Sequence, residues 1–275
     1  MSINVKMAIA YILLIFMCLF WMLPFYVALV TSLKSHKETY TTNVLQPPSS
    51  IDVTSWFSAW KSVERAFFNS IIVSLPSTFL CVMIGTLAGY YLSRHVSRAT
   101  RSMFFLIAIA TFIPYQILLI PMTMFLARIG VMGTFLSFII AYTILLSPWA
   151  ALISSAFFMA IPKELEEASY IDGASALQTF FRVVLPVALP GIISTTIIIF
   201  MSIWNEFLFA VTLSTNPLIR TIQPEVANLR GTTTVAWNTL MAGSLIAILP
   251  PLIITLALGR YFISGLLAGA LKGTR

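Results

Sequence analysis

IPKELEEASYIDGASALQTFFRVVLPVALPG, running from Ile161 to Gly191, opens on the densest group of charges in the chain: Glu164, Glu166, Glu167 and Asp172 are four of its nine acids. Before it, 34 residues pass between Arg128 and Lys163 without a charge, and after it 23 pass between Arg182 and Glu206. A helix needs roughly 20 apolar residues to cross the hydrocarbon layer, and a charge at its centre is costly. The stretch therefore reads as a polar loop between two membrane spans.

The same measurement repeats along the chain. Lys6 to Lys34 encloses 27 uncharged residues, Arg65 to Arg94 encloses 28, Arg101 to Arg128 encloses 26 and Arg230 to Arg260 encloses 29. Six transmembrane helices follow, at about 7–33, 67–93, 102–127, 133–157, 191–213 and 238–262, within one domain over 1–275 and with a loop at about 158–190. The fold class is an all-α membrane protein. The runs lack period-2 alternation and are long enough for helices that satisfy their own backbone groups in lipid, so helices are preferred over barrel strands. The first run exceeds a secretory h-region of about 7–15 residues and ends without a small-residue cleavage site, so it reads as an uncleaved helix.

Composition agrees. The 275 residues are 59% hydrophobic and only 9% charged, with a mean hydropathy of +0.95; a soluble domain carries about 25% charge. The net charge of +7 reads as the cytoplasmic excess of a membrane protein, with no nucleic acid implied. Cys18 and Cys81 lie in apolar runs and support neither a disulfide nor a metal. Arg94, Arg98 and Arg101 make a short basic connection without an acid, which places it in the cytoplasm and, with six helices, both termini as well.

Within the loop, Pro162 suits a first helical position and the three glutamates suit a helix N-terminus. Gly173 suits a left-handed helix end, and Ser175 with Gln178 makes a capping box for a second helix that Pro186, Pro190 and Gly191 break. Two readings of this helix–turn–helix stand: an interfacial linker, or a docking element for a soluble partner.

Residue identities favour the second. Glu167-Ala168-Ser169, three residues, Gly173, nine residues, Val183, one residue and Leu185-Pro186 resemble the EAA loop of permease subunits of binding-protein-dependent ABC importers. The family pattern has Ala and Ile where this chain has Ser169 and Val183. Asp172, Pro190-Gly191, Phe68-Asn69-Ser70, Trp204-Asn205-Glu206-Phe207-Leu208 and the ending Arg260-Tyr261-Phe262, Gly265, Gly269 and Lys272-Gly273 resemble the MalG-type carbohydrate branch.

The resemblance implies the type I importer permease fold. It also implies a heterodimer with a second, MalF-like permease, an ATP-binding subunit dimer that supplies ATP and Mg, and an extracytoplasmic substrate-binding protein. The setting is the cytoplasmic membrane of a prokaryote, in contact with lipid. Glu167, Ala168, Ser169, Asp172, Gly173, Val183, Leu185 and Pro186 would form the ATPase-coupling loop, and Lys272 and Gly273 would reach the ATPase from the tail. The chain has no G-x-x-x-x-G-K-[ST] loop, so it is expected to be a transport subunit, not an enzyme, with no cofactor of its own.

Glu206 is the single acid inside an expected span. With Trp204 and Asn205 it is expected either to line the translocation path for a sugar or oligosaccharide, by stacking and hydrogen bonding, or to make an interhelical polar contact. The competing class is a self-sufficient secondary transporter or channel with Glu206 as an ion or proton relay, which would call for inverted repeats and further intramembrane charges. Gly85-Thr86-Leu87-Ala88-Gly89 is a small-xxx-small pattern suited to close helix packing.

Overall fold

The computed structural model describes residues 5–95, 97–231 and 235–270, with side chains over 7–95, 97–231 and 235–260. The helices are α1 (Val5–Ser32), α2 (Glu38–Thr41), α3 (Thr54–Arg94), α4 (Arg98–Phe112), α5 (Leu119–Arg128), α6 (Phe135–Ala160), α7 (Glu164–Ile171), α8 (Ala176–Thr179), α9 (Leu185–Trp204), α10 (Leu208–Leu213), α11 (Ile222–Asn228) and α12 (Trp237–Ala270). No strand occurs among the described residues. Among the described residues, five helical stretches are long and apolar enough to span, and α4 with α5, bent by 92°, makes a sixth if the pair counts as one.

Three expected boundaries change. The span at 102–127 is not one helix: Ile113 is extended (φ −70°, ψ 125°) because the ring of Pro114 excludes the helical conformation before it, and a 3₁₀ turn at Tyr115–Leu118 leads into α5. Neither piece covers about 30 Å alone. The helix that contains the expected span at 67–93 begins much earlier, at Thr54, where the Asp52 carboxylate accepts the Thr54 N–H at 2.9 Å and its hydroxyl at 2.6 Å. Its 41 residues measure about 60 Å, twice the hydrocarbon thickness.

The third change concerns the span at 191–213. Pro186, Pro190 and Gly191 do not break the helix, which is continuous from Ala176 to Trp204. A single π turn at Phe180–Val184 stands immediately before Pro186 and absorbs the irregularity in the bond ladder, so the helix passes the proline without ending. Pro190 leaves the Pro186 carbonyl without its helical donor, yet α9 runs on through it, and one turn later Ser194 Oγ donates to the Pro190 carbonyl at 2.9 Å. The same helix ends at Trp204, short of the expected Leu213, and α10 follows after Asn205–Phe207.

Two compact units divide the described chain, one of residues up to Arg65 with Glu225–Leu249, the other of Ala66–Pro224 with the residues from Pro250 on. In the first, Lys34 is only 1% exposed, and its ammonium donates to Thr42 Oγ1 at 3.0 Å and the Asn43 carbonyl at 2.7 Å. Asn238 Nδ2 donates to the Lys34 carbonyl at 3.2 Å and Tyr40 donates to the Val235 carbonyl, joining the two sequence segments of this unit. Glu38 accepts the Ser49 N–H at 2.7 Å and its hydroxyl at 2.9 Å.

In the second unit the core comprises Val73, Cys81, Leu126, Phe138, Tyr142, Ile199, Phe209 and Leu213, from α3, α5, α6, α9 and α10. The small-residue pattern does what its spacing suggests. A methyl group on Gly85 would sit 2.5 Å from Ala150 Cβ, and one on Gly89 would sit 2.7 Å from the Ala151 carbonyl oxygen. Helices α3 and α6 thus meet backbone to backbone. Asn69 Nδ2 donates to the Leu218 and Arg220 carbonyls, both at 2.9 Å, and Ser70 Oγ accepts the Ile222 N–H at 2.8 Å, so α3 also fixes the segment before α11.

Two outcomes are expected. Gly89→Leu forces α3 off α6 and destabilises by about 1–3 kcal/mol or more, the scale of core overpacking, read as a lowered melting temperature in detergent. Donation from Ser49, N–H first and hydroxyl second, holds the Glu38 pKa below its usual value. The stabilisation is therefore full above the ordinary glutamate range and fades as pH falls below about 4; the protection of the Ser49 amide, taken as its exchange rate relative to that of the unstructured chain at the same pH, falls there, and Glu38→Gln removes the dependence.

Candidate functional site

The loop 161–184 begins where Ile161 leaves α6 and Pro162 starts the turn into α7. Glu164 and Glu167 are exposed beside the free N–H groups of α7, and Ala168 is exposed next to Glu167. Ser169 is buried and its hydroxyl lies 2.9 Å from that of Thr179, tying α7 to α8. Asp172 caps the end of α7, Gly173 donates to the Tyr170 carbonyl at 3.0 Å and Ala174 donates to the Ser169 carbonyl at 3.0 Å. That closure needs a left-handed residue, and Gly173 has φ +83°.

Nothing lies within 4 Å of where a Gly173 β-carbon would stand. The restriction there is conformational, and the space above the turn is open. Ser175 and Gln178 form the capping box, with the Ser175 N–H donating to Gln178 Oε1 at 2.9 Å and the Gln178 N–H to Ser175 Oγ at 3.4 Å. The outer face carries Ile171 at 86% and Leu177 at 70% exposure, with Tyr170 and Phe181 also exposed. Val183 and Leu185 are half-buried where α8 runs into α9 and Pro186 is exposed, while Val184 and Phe180 form the buried side with Phe158 and Ile161.

One residue behaves differently from its neighbours. Glu166 is buried, its Oε1 is 2.5 Å from Arg94 Nε, and its Oε2 accepts the Tyr90 hydroxyl at 2.9 Å. Arg94 Nη2 also donates to the Ile161 carbonyl at 3.2 Å. The sequence pattern groups Glu166 with the glutamates that face the helix N-terminus, and the structure separates it from them. A signal existed: Tyr90 and Arg94 are four apart at the end of α3 and share a helix face, offering two donors side by side.

The second group sits at the break between α9 and α10. Glu206 Oε1 accepts the Phe209 N–H at 3.0 Å, and Oε2 accepts the Ala210 N–H at 2.9 Å and the Tyr142 hydroxyl at 3.0 Å. The carboxylate caps α10 and binds it to α6. Tyr115, on the 3₁₀ turn that interrupts the α4–α5 pair, stacks on Phe209 with centroids 6.0 Å apart. Asn205 is exposed and its Oδ1 accepts Gln223 Nε2 at 3.3 Å. Trp204 departs from expectation: it is 2% exposed, packed on Phe67 (5.8 Å) and Phe200 (5.7 Å), and has no face free for a solute. Lys272 and Gly273 lie outside the described residues. No cluster of three metal-ligating side chains occurs among the described residues.

Residues 81–268 match the family described as binding-protein-dependent transport system inner membrane component. The chain is 34% identical to the glucose import system permease protein GlcU of Saccharolobus solfataricus, over 96% of this chain and 94% of that protein. It is 32% identical to the melibiose/raffinose/stachyose import permease protein MelC of Bacillus subtilis, over 91% of each. Among solved structures it resembles a chain of a bacterial ABC transporter that imports the acidic polysaccharide alginate. The TM-score is 0.78 at 18% identity, covering 95% of this chain and 99% of that one. The match to the family model, spanning both the loop and the α9–α10 break, decides the matter: the chain belongs to the inner membrane components of binding-protein-dependent transport systems.

Proposed function

We propose that this permease forms half of the translocation pathway of an ATP-driven importer for a sugar or oligosaccharide, and that α7–α8 is the element on which a partner ATPase acts. The observation that carries this reading is the outer face of the loop. It is a closed, capped helix–turn–helix whose Ile171 and Leu177 are exposed and whose turn at Gly173 has open space above it. Apolar side chains on a rigid element need a covering partner, and a turn without a side chain admits close approach. Glu167, Ala168, Asp172 and Gly173 are the residues proposed to meet the ATPase, with Ser169, Val183, Leu185 and Pro186 holding the element's shape, and both termini on the ATPase side.

The solute class is supported by relatives named for glucose and for melibiose, raffinose and stachyose import. The partners on this reading are a second permease, an ATPase dimer carrying ATP and Mg, and an external binding protein. Asn205, exposed at the α9–α10 break, and half-buried Gln223 of α11, which donates to it, are the proposed solute-facing pair, since amides donate to and accept from sugar hydroxyls. Glu206 is the pin beneath it. Its oxygens are taken by two N–H groups and a tyrosine, which disfavours the ion or proton relay of a self-sufficient transporter.

The test is co-purification. Gly173→Trp places a bulky side chain in the open space and adds about 1–2 kcal/mol of left-handed strain. The variant inserts in the membrane in normal amount but no longer retains an ATPase subunit, whereas Ile171→Ser weakens retention less. Proton-coupled uptake by this chain alone, without ATP, would refute the reading.

A further inference from the structure

The loop is joined by the chain itself to α6, through Ile161–Lys163, and to α9, through α8 and the π turn at Phe180–Val184. Its third attachment is non-covalent and leads to α3, none of whose residues belongs to the outer face of α7–α8. The side chains of Glu166 and Arg94 are each 8% exposed. Glu166 is the one acid of the loop turned inward, while Glu164, Glu167 and Asp172 face out.

The attachment is also braced. The Tyr90 ring, whose hydroxyl holds Glu166, meets Phe158 of α6 at 5.4 Å and Phe180 of the π turn at 4.7 Å, and Phe158 meets Phe180 at 6.4 Å. Arg94 reaches past Glu166 to the Ile161 carbonyl. Two residues one turn apart on α3 thus gather α7, the end of α6 and the start of the α9 helix at one point. A buried ion pair whose two partners are also held by further hydrogen bonds has few alternative arrangements, because separating its charges strands them away from water. The link to α9 passes through a π turn, a geometry with a less regular bond ladder.

We propose that Glu166, acting through Arg94 and Tyr90, is a positioning residue that makes α7 and the end of α3 move as one body. A displacement of the loop by an ATPase is then delivered to α3 as well as to α6 and α9. This rests on the importer reading above, and the experiment separates the two.

The whole transporter, with both permeases and the ATPase dimer, is reconstituted in vesicles with its loaded binding protein, and ATP hydrolysis and solute uptake are measured together. Glu166→Gln keeps the shape and the Tyr90 bond but removes the ion pair. Uptake per ATP falls about tenfold, the scale of one lost charge-assisted bond, while hydrolysis persists. The exchanged pair, Arg94→Glu with Glu166→Arg, raises the ratio again. An unchanged ratio in the assembled Glu166→Gln complex overturns the proposal, as does a parallel fall of both activities, the signature of a residue that only helps the loop fold. Failure of the exchanged pair to raise the ratio overturns it as well. If the unmodified complex takes up solute without hydrolysing ATP, the importer reading itself fails.

Discussion

Lipid offers no hydrogen bonds, so a chain that crosses it can leave the helix only where side chains take over the freed backbone groups. The break after Trp204 obeys this constraint. Glu206 supplies both carboxylate oxygens to the first N–H groups of α10, and Tyr142 of α6 neutralises part of its remaining hydrogen-bonding demand. A single acid in a stretch of otherwise apolar sequence is therefore what makes the interruption of the helix affordable in hydrogen bonds. The nearby aromatic contact of Tyr115 with Phe209 brings the interruption of the α4–α5 pair to the same place.

Where no break is needed, helices approach as closely as their side chains allow. Gly85 and Gly89 face Ala150, Ala151, Ser154 and Ser155, and the absence of β-carbons brings α3 against α6 over more than a turn. Burial of apolar surface adds little between helices already in lipid, so such close van der Waals contact carries much of the association. The contact also sets where the end of α3 stands, and with it Tyr90 and Arg94. The packing in the span thus prepares the polar knot that holds the loop. The structure relates the loop and the spans through α3, a helix that the loop's own sequence does not mention.

Much of this was legible beforehand, for identifiable reasons. Spans could be counted because a charge in hydrocarbon is costly, so intervals between charges measure helices. The turn at Gly173 and the Ser175–Gln178 cap could be read because both obey local rules that need only neighbours within three residues. Other features resisted. Glu166 and Glu167 are adjacent and chemically identical, yet one is buried on Arg94 and the other is exposed, and only the direction of α3 separates them. Trp204 looked like a sugar-stacking residue, but Phe67 and Phe200, 137 and 4 positions away, cover it.

The sequence by itself determined the fold class, the number of apolar stretches and the presence of an exposed, capped helix–turn–helix between two of them, because each follows from hydropathy or from short-range backbone chemistry. Tertiary structure decided which acids are paired, that the prolines after Val184 sit inside a continuous helix and that the third stretch is bent by 92°. It decided these because each depends on a partner distant in the chain, or on whether neighbouring groups can absorb a lost backbone bond.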